Sequence, residues 1–329
     1  MTEARDILRN ESGFEVRLNA RGAAIEGIRV PLHDGPIEAV LDYSDPDSRA
    51  SDPYFLGVTC GRFANRIANA SFRLGERRFQ LDATPGQGGH ALHGGALGFS
   101  HRVWQRVSDT PDDTVAYLLV SPDGDQGFPG TLLVRVTYRL LDGWVLAMDL
   151  VAESDASTVI SLANHAYFNL SDSDPNVDEH YVWIDAERFT TVGEDLIPTG
   201  MQQRVAGSPF DLRKPVRFGN IRTASHEQLE LAGGIDHNFV LRGGSGSLRA
   251  VAGLLAPDTG LRLTVLTTQP GLQLYGGQHL EDPFRPGQGL CLEAQQFPDA
   301  PNQPGFPSAV LHPGHRWSHQ TVYRFDRVT

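Results

Sequence analysis

Asn164 and His165 stand side by side in NHAYFNL (residues 164 to 170), straight after the apolar run TVISLA and straight before Tyr167 and Phe168. A histidine buried there needs partners for both ring nitrogens, so it is either a satisfied core residue or a working group that faces a ligand. Glu293 lies inside the apolar-sided GLCLEAQQF (residues 289 to 297). A carboxylate pointing inward from such a run carries a desolvation cost unless something cationic or hydrogen-bonding meets it, which makes Glu293 the best candidate for a general base. His93 precedes two glycines that let backbone or ligand approach closely, although a turn histidine reads the same way. Asp236 opens the segment DHNFVL, as either a working carboxylate or a turn cap. His312, His315 and His319 alternate with Pro, Gly, Arg and Ser and read as surface residues.

These side chains must be positioned by strands. Apolar alternation of period two recurs in FEVRLNARGAAIEGIRV, RFQLDA, TVAYLLV, TLLVRVTYRLLDGWVLAMDLVAES and LRLTVLTTQPGLQLY, each bounded by Gly, Pro, Asp or Asn. Asp142-Gly143, between two strand-like runs, is a hairpin signal. Helical spacing with a glycine stop is confined to ASHEQLELAGG (residues 224 to 234). No linker, low-complexity block or fixed-period repeat divides the chain. The expectation is a single all-β domain over residues 1 to 329, a large antiparallel β-sandwich with one or two short helices.

Composition removes several classes of function. The formal net charge of −12 and the lack of a basic run disfavour a nucleic-acid partner. No run of about 18 apolar residues exists, so no membrane span is expected, and the opening MTEARDILRNESGF lacks a secretory apolar region. Cys60 and Cys291 lie far apart and read as two buried thiols in a reducing compartment, which points to the cytoplasm. The glycine-rich PGQGGHALHGGALG lacks the Gly-Lys-Ser/Thr ending of a phosphate loop, and LRGGSGSLRAVAG lacks a dinucleotide fingerprint in register.

Seven motifs in order then resemble the aldose 1-epimerase (galactose mutarotase) family: GRFANRI (61 to 67), HALHGG (90 to 95), DGDQGFPG (123 to 130), NHAYFNL (164 to 170), IDHNFVL (235 to 241), QPGLQLYGG (269 to 277) and CLEAQQFPDAPNQPGFP (291 to 307). The resemblance implies a β-sandwich of the galactose-mutarotase type, with a monosaccharide substrate in an open cleft on one sheet. It matches the family's catalytic acid to His165, its base to Glu293, and its sugar contacts to Asn65, Arg66, His93, Tyr167, Asp236 and Gln273. Alanine at 166 and 294 and Gly276 depart from the commoner family pattern beside the site.

The implied reaction interconverts α and β anomers of free aldohexoses such as galactose and glucose. A proton leaves the anomeric hydroxyl while another reaches the ring oxygen, the hemiacetal opens, and the aldehyde rotates and recloses. No cofactor and no metal are needed. Three rivals stand beside this reading. They are a sugar-binding relative without catalysis, an epimerase of a hexose 6-phosphate, for which several converging arginines are expected, and a zinc hydrolase built from His93, His165 and Glu293.

Overall fold

The computed structural model describes residues 5–49, 51–173 and 175–328. Nine strands form one sheet in the order Gln105–Arg106, Thr114–Ser121, Leu132–Leu141, Val145–Ser154, Arg316–Arg327, Leu261–Thr267, Arg249–Leu255, Tyr181–Ile184, Val216–Arg217. A six-stranded sheet runs Tyr167–Phe168, Leu290–Gln295, Gly271–Tyr275, Asp236–Leu241, Ala186–Val192, Pro198–Arg204. Every pairing within these two sheets is antiparallel.

The expected alternation is what packs them. In Leu132–Leu141 the even-numbered side chains Leu132, Val134, Val136, Tyr138 and Leu140 are all buried, while Leu133 and Arg135 are exposed. Leu263 and Val265 of the large sheet enter the same core as Leu272, Leu274, Leu290 and Leu292 of the smaller one. Phe168 meets Tyr323 edge-on at 5.1 Å across that interface. Each fully buried side chain of this size contributes about 1.5–3 kcal/mol. The two sheets therefore form the layered sandwich that the patterning predicts.

The hairpin at Asp142-Gly143 is present, with Leu141 opposite Val145. Its loop spans Asp142, Gly143 and Trp144, and Gly143 takes the φ of +75° for which glycine is suited. The patterned segment at 224 to 234 contains the helical turn Glu227–Leu231, capped by His226, whose Nδ1 accepts from the Gln228 N–H at 3.2 Å. Among the described residues, two more short α-helices occupy Pro46–Arg49 and Phe218–Arg222.

A buried cation fastens segments that lie far apart in sequence. Arg62, 1% exposed, donates to the carbonyls of Pro129, Gly130 and Ser121 at 2.9, 2.8 and 3.0 Å and to Ser121 Oγ at 2.6 Å. It thereby binds the GRFANRI segment to DGDQGFPG, two motifs separated in sequence. Burial pulls its guanidinium down to about 10, against the pull of Asp125 and Asp123. Among the described residues, no helix is long and apolar enough to cross a membrane.

Candidate active site

Antiparallel register sets the floor of the site. Gln273 faces both Asn238 and Glu293 on its neighbouring strands, while Tyr275 faces Asp236 and Cys291, and Cys291 also faces Tyr167. Opposed residues share a face, so Asp236, Gln273, Tyr275, Glu293 and Tyr167 emerge on one side. Leu272, Leu274, Leu290 and Leu292 emerge on the other, into the core.

His165 is not inside a strand. It sits in the two-residue link between Ala163–Asn164, which pairs with Thr59–Cys60, and Tyr167–Phe168, which pairs with the Leu290–Gln295 strand. Asn164 makes that link, donating from Nδ2 to the Gly57 carbonyl at 2.7 Å and accepting the Ala166 N–H at 3.2 Å. The polar pair thus divides its labour: Asn164 brackets the chain and His165 projects into the cleft.

Seven of the eight expected residues, His165, Glu293, Asn65, Arg66, His93, Tyr167 and Asp236, line a single cleft. Gln273 is 3% exposed and stands just behind it, donating from Nε2 to Asp236 Oδ1 at 2.6 Å. Arg66 approaches the other oxygen of Asp236 at 3.6 Å. The carboxylate is therefore held from two sides with room to accept a ligand hydroxyl.

His165 Nε2 lies 3.7 Å from Glu293 Oε1, close enough to interact electrostatically and too far for a direct hydrogen bond. Its Nδ1 is 3.5 Å from Cys291 Sγ. The ring is packed by Tyr167 at 5.0 Å and edge-on by His93 at 5.3 Å. Burial raises Glu293 well above the ordinary carboxylate range, with Asp236 adding to the rise and Arg66 opposing it. Burial also drops His165 to about 4, against the pull of Asp236.

Asn65 and His93 clasp each other. The His93 N–H donates to the Asn65 carbonyl at 3.0 Å, and the Asn65 N–H donates to His93 Nδ1 at 3.2 Å. A neutral imidazole that accepts at Nδ1 carries its proton on Nε2. Burial, with help from His165 and Arg66, holds His93 well below its usual pKa and so keeps it a neutral donor. Both residues have positive φ, +64° and +51°, beside the paired segments Arg66–Ile67 and Ala91–Leu92.

Phe55 and Tyr275 also line the cleft and were not singled out from sequence. Phe55 packs on His93 at 4.6 Å from a loop without a motif, so no sequence signal marks it. Tyr275 lies two residues beyond Gln273, and the alternation of that strand could have found it. His312 and His315 are exposed as expected, whereas His319 is buried in the strand Arg316–Arg327, against Trp317 at 4.6 Å. Cys60 and Cys291 are free, fully buried thiols. Among the described residues, no three His, Cys, Asp or Glu side chains are grouped to hold a metal ion.

Comparison with known proteins identifies the family and the fold. The family model described as aldose 1-epimerase matches residues 7–324. The chain is 37% identical over 328 residues to an aldose 1-epimerase of Escherichia coli (strain K12), covering 97% of this chain and 94% of that one. It is 38% identical over 318 residues to the galactose mutarotase of Homo sapiens, covering 93% and 89%. The solved structure of a galactose 1-epimerase from Lactobacillus acidophilus NCFM superposes with a TM-score of 0.86 at 28% identity, covering 99% and 95%. An aldose epimerase homologue from C. elegans gives 0.88 at 27%, covering 99% and 100%. Matched along nearly its whole length in sequence and in fold, the chain belongs to the aldose 1-epimerase family, isomerases of the epimerase class.

Proposed function

We propose that the cleft opens and recloses the ring of a free aldose, with Glu293 taking the proton of the anomeric hydroxyl and His165 giving one to the ring oxygen. The observation that carries this is the 3.7 Å spacing of His165 Nε2 and Glu293 Oε1 within one lined cleft. The anomeric and ring oxygens are bonded to the same carbon, so the groups serving them must stand a few ångströms apart and not touch. As Glu293 removes the hydroxyl proton, the O–H electron pair forms the C1 carbonyl. The C1–O5 pair moves to the ring oxygen, which takes the proton of His165. Rotation about C1–C2 and reversal of both transfers returns the other anomer.

The two acid–base groups share one proton. Before a sugar binds, burial favours keeping it on Glu293, since that leaves both groups neutral. A sugar hydroxyl donating to the carboxylate, with Asp236 nearby to favour the imidazolium, shifts that proton to His165. His93, fixed as a neutral Nε2 donor, serves the oxygen that gains charge. Asp236, Arg66, Asn65 and Gln273 orient the ring through its hydroxyls, and Tyr167 packs against it.

Two rival readings are the less favoured. Arg66 is the one arginine lining the cleft among the described residues, and it already faces Asp236. Arg49 and Arg21 line an adjoining pocket, where Arg49 is paired with Glu26 at 3.1 Å and with Asp42, and Arg21 donates to the His101 carbonyl at 3.3 Å. That leaves no converging set for a sugar phosphate. A purely sugar-binding role has no use for the buried acid–base pair. A cytoplasmic setting is part of the proposal, supported by the two free thiols.

The test is polarimetry on freshly dissolved α-D-galactose and α-D-glucose. His165→Asn should stay folded and lose about two or more decades in kcat, as expected for loss of a general acid. Full activity in that variant would remove His165 from the mechanism.

A further inference from the structure

The strand that carries Glu293 also carries Gln295 on the same face, one row further from the cleft. Gln295 is 0% exposed, and neither its Nε2 nor its Oε1 has a partner. Asn238, facing Gln273 across the sheet and 1% exposed, likewise has no partner at Nδ2 or Oδ1. Gln273 Oε1 and Glu293 Oε2 complete a set of six buried polar atoms without partners.

These atoms form one patch. Gly271 faces Gln295, and a Cβ placed on it would stand 2.4 Å from Asn238 Oδ1, so the Asn238 amide lies over that glycine, beside the Gln295 row. Neither Asn238 nor Gln295 lines the cleft. Buried polar atoms are otherwise almost always bonded to protein or to ordered water, and one water joins two to four such groups.

We propose that Asn238, Gln273 and Gln295 hold ordered water beneath the cleft against Oε2 of Glu293, and so position the base. The inference rests on the assignment of Glu293 above. Water donating to Oε2 favours the carboxylate over the acid. It also fixes the carboxylate plane, which keeps Oε1 turned toward His165. Asn238 and Gln295 are positioning residues that act through that water, and Gln273 joins it by Oε1 while its Nε2 holds Asp236.

Gln295→Met and Asn238→Leu keep side-chain volume and remove the polar atoms. Polarimetry across pH, with thermal melting of the same full-length variants, provides the test. The expected result is an unchanged or higher Tm, kcat lower by about tenfold, KM within about twofold, and the acidic limb of the kcat profile displaced to higher pH. A merely structural role would not move that limb. Wild-type kcat with an unmoved limb would overturn the inference, as would a rise in KM alone. Should neither variant fold, a high-resolution crystal structure of the native chain decides it. Water bonded to both Glu293 Oε2 and the Gln295 amide supports the proposal, and a dry patch overturns it. An active Glu293→Gln would sink the base assignment itself, whereas an inactive Glu293→Gln beside a fully active Gln295→Met sinks this inference alone.

Discussion

Replacing Glu293 by Gln should abolish most activity while making the protein harder to melt. The side chain is 2% exposed, Oε2 has no partner, and burial raises the carboxyl well above its ordinary range. A carboxyl whose folded pKa exceeds its unfolded one stabilises the fold fully below the unfolded value, and that stability is lost as pH rises toward the folded value. The glutamine keeps the shape and does not titrate. The Tm difference between variant and native protein should therefore be near zero at about pH 4.5 and open as pH rises. The limiting slope is about 1.4 kcal/mol per pH unit. With 329 residues and an unfolding entropy of about 2.1 cal/mol/K per residue, each kcal/mol moves Tm by about 1.5 °C. The gap should thus widen by up to about 2 °C per pH unit and level off where Glu293 ionises in the folded state. Scanning calorimetry from pH 4.5 to 8 reads the gap, and polarimetry reads an expected loss of about two to four decades in kcat. Parallel melting curves would refute the buried-carboxyl account, and retained turnover would refute the base.

Asp236→Asn removes the charge from a side chain held by Arg66 and Gln273. Since a hydrogen bond to a charged group is worth about 1.5–3 kcal/mol, kcat/KM should fall by about ten- to a hundredfold in initial-rate polarimetry, with kcat sharing the loss because Asp236 favours the His165 imidazolium. Arg62→Met strips the hydrogen bonds from the carbonyls of Pro129, Gly130 and Ser121. It should cost about 3 kcal/mol or more, read as a Tm drop of several degrees with the 121–130 loop first exposed to protease. Burial drops His165, His237 and His319 to about 4 each, so below their unfolded value of about 6.5 the unfolded chain takes up protons that the folded chain refuses. Stability should fall from pH 6.5 to 4, net of the opposite trend from Glu293, and His319→Gln should flatten that fall in calorimetry.

Much of the sandwich is legible because each strand repeats one simple rule. Leu132–Leu141 and Val145–Ser154 bury every second side chain, and the turn between them carries its own glycine. The site is legible for a different reason: polar residues such as Glu293 stand in runs otherwise apolar, where a packing role fails to explain them. What escaped depends on contacts between distant segments. Phe55 reaches His93 from a loop whose position no local pattern encodes. His165 was expected within a strand, but the chain changes sheets there, and the pairing with Thr59–Cys60 that forces the change spans more than a hundred residues. His319 was read from its polar neighbours, while its burial comes from Trp317 beside it and Thr268 on an adjacent strand end.

Because register alone keeps Cys291, Glu293 and Gln295 on the cleft face and Leu290, Leu292 and Ala294 on the core face, this strand tolerates exchange of letters but not a change of frame. Inserting or deleting one residue would carry every carboxyl and amide into the hydrocarbon interior and present leucines to the sugar. Lineages of this chain should therefore differ along Leu290–Gln295 and Gly271–Tyr275 by substitution, and accumulate length differences in the segments around Pro53–Phe55, Gln87 and His279 that form the rest of the cleft wall. New sugar preferences would then arise by remodelling that wall while the reacting pair stays where the sheet holds it.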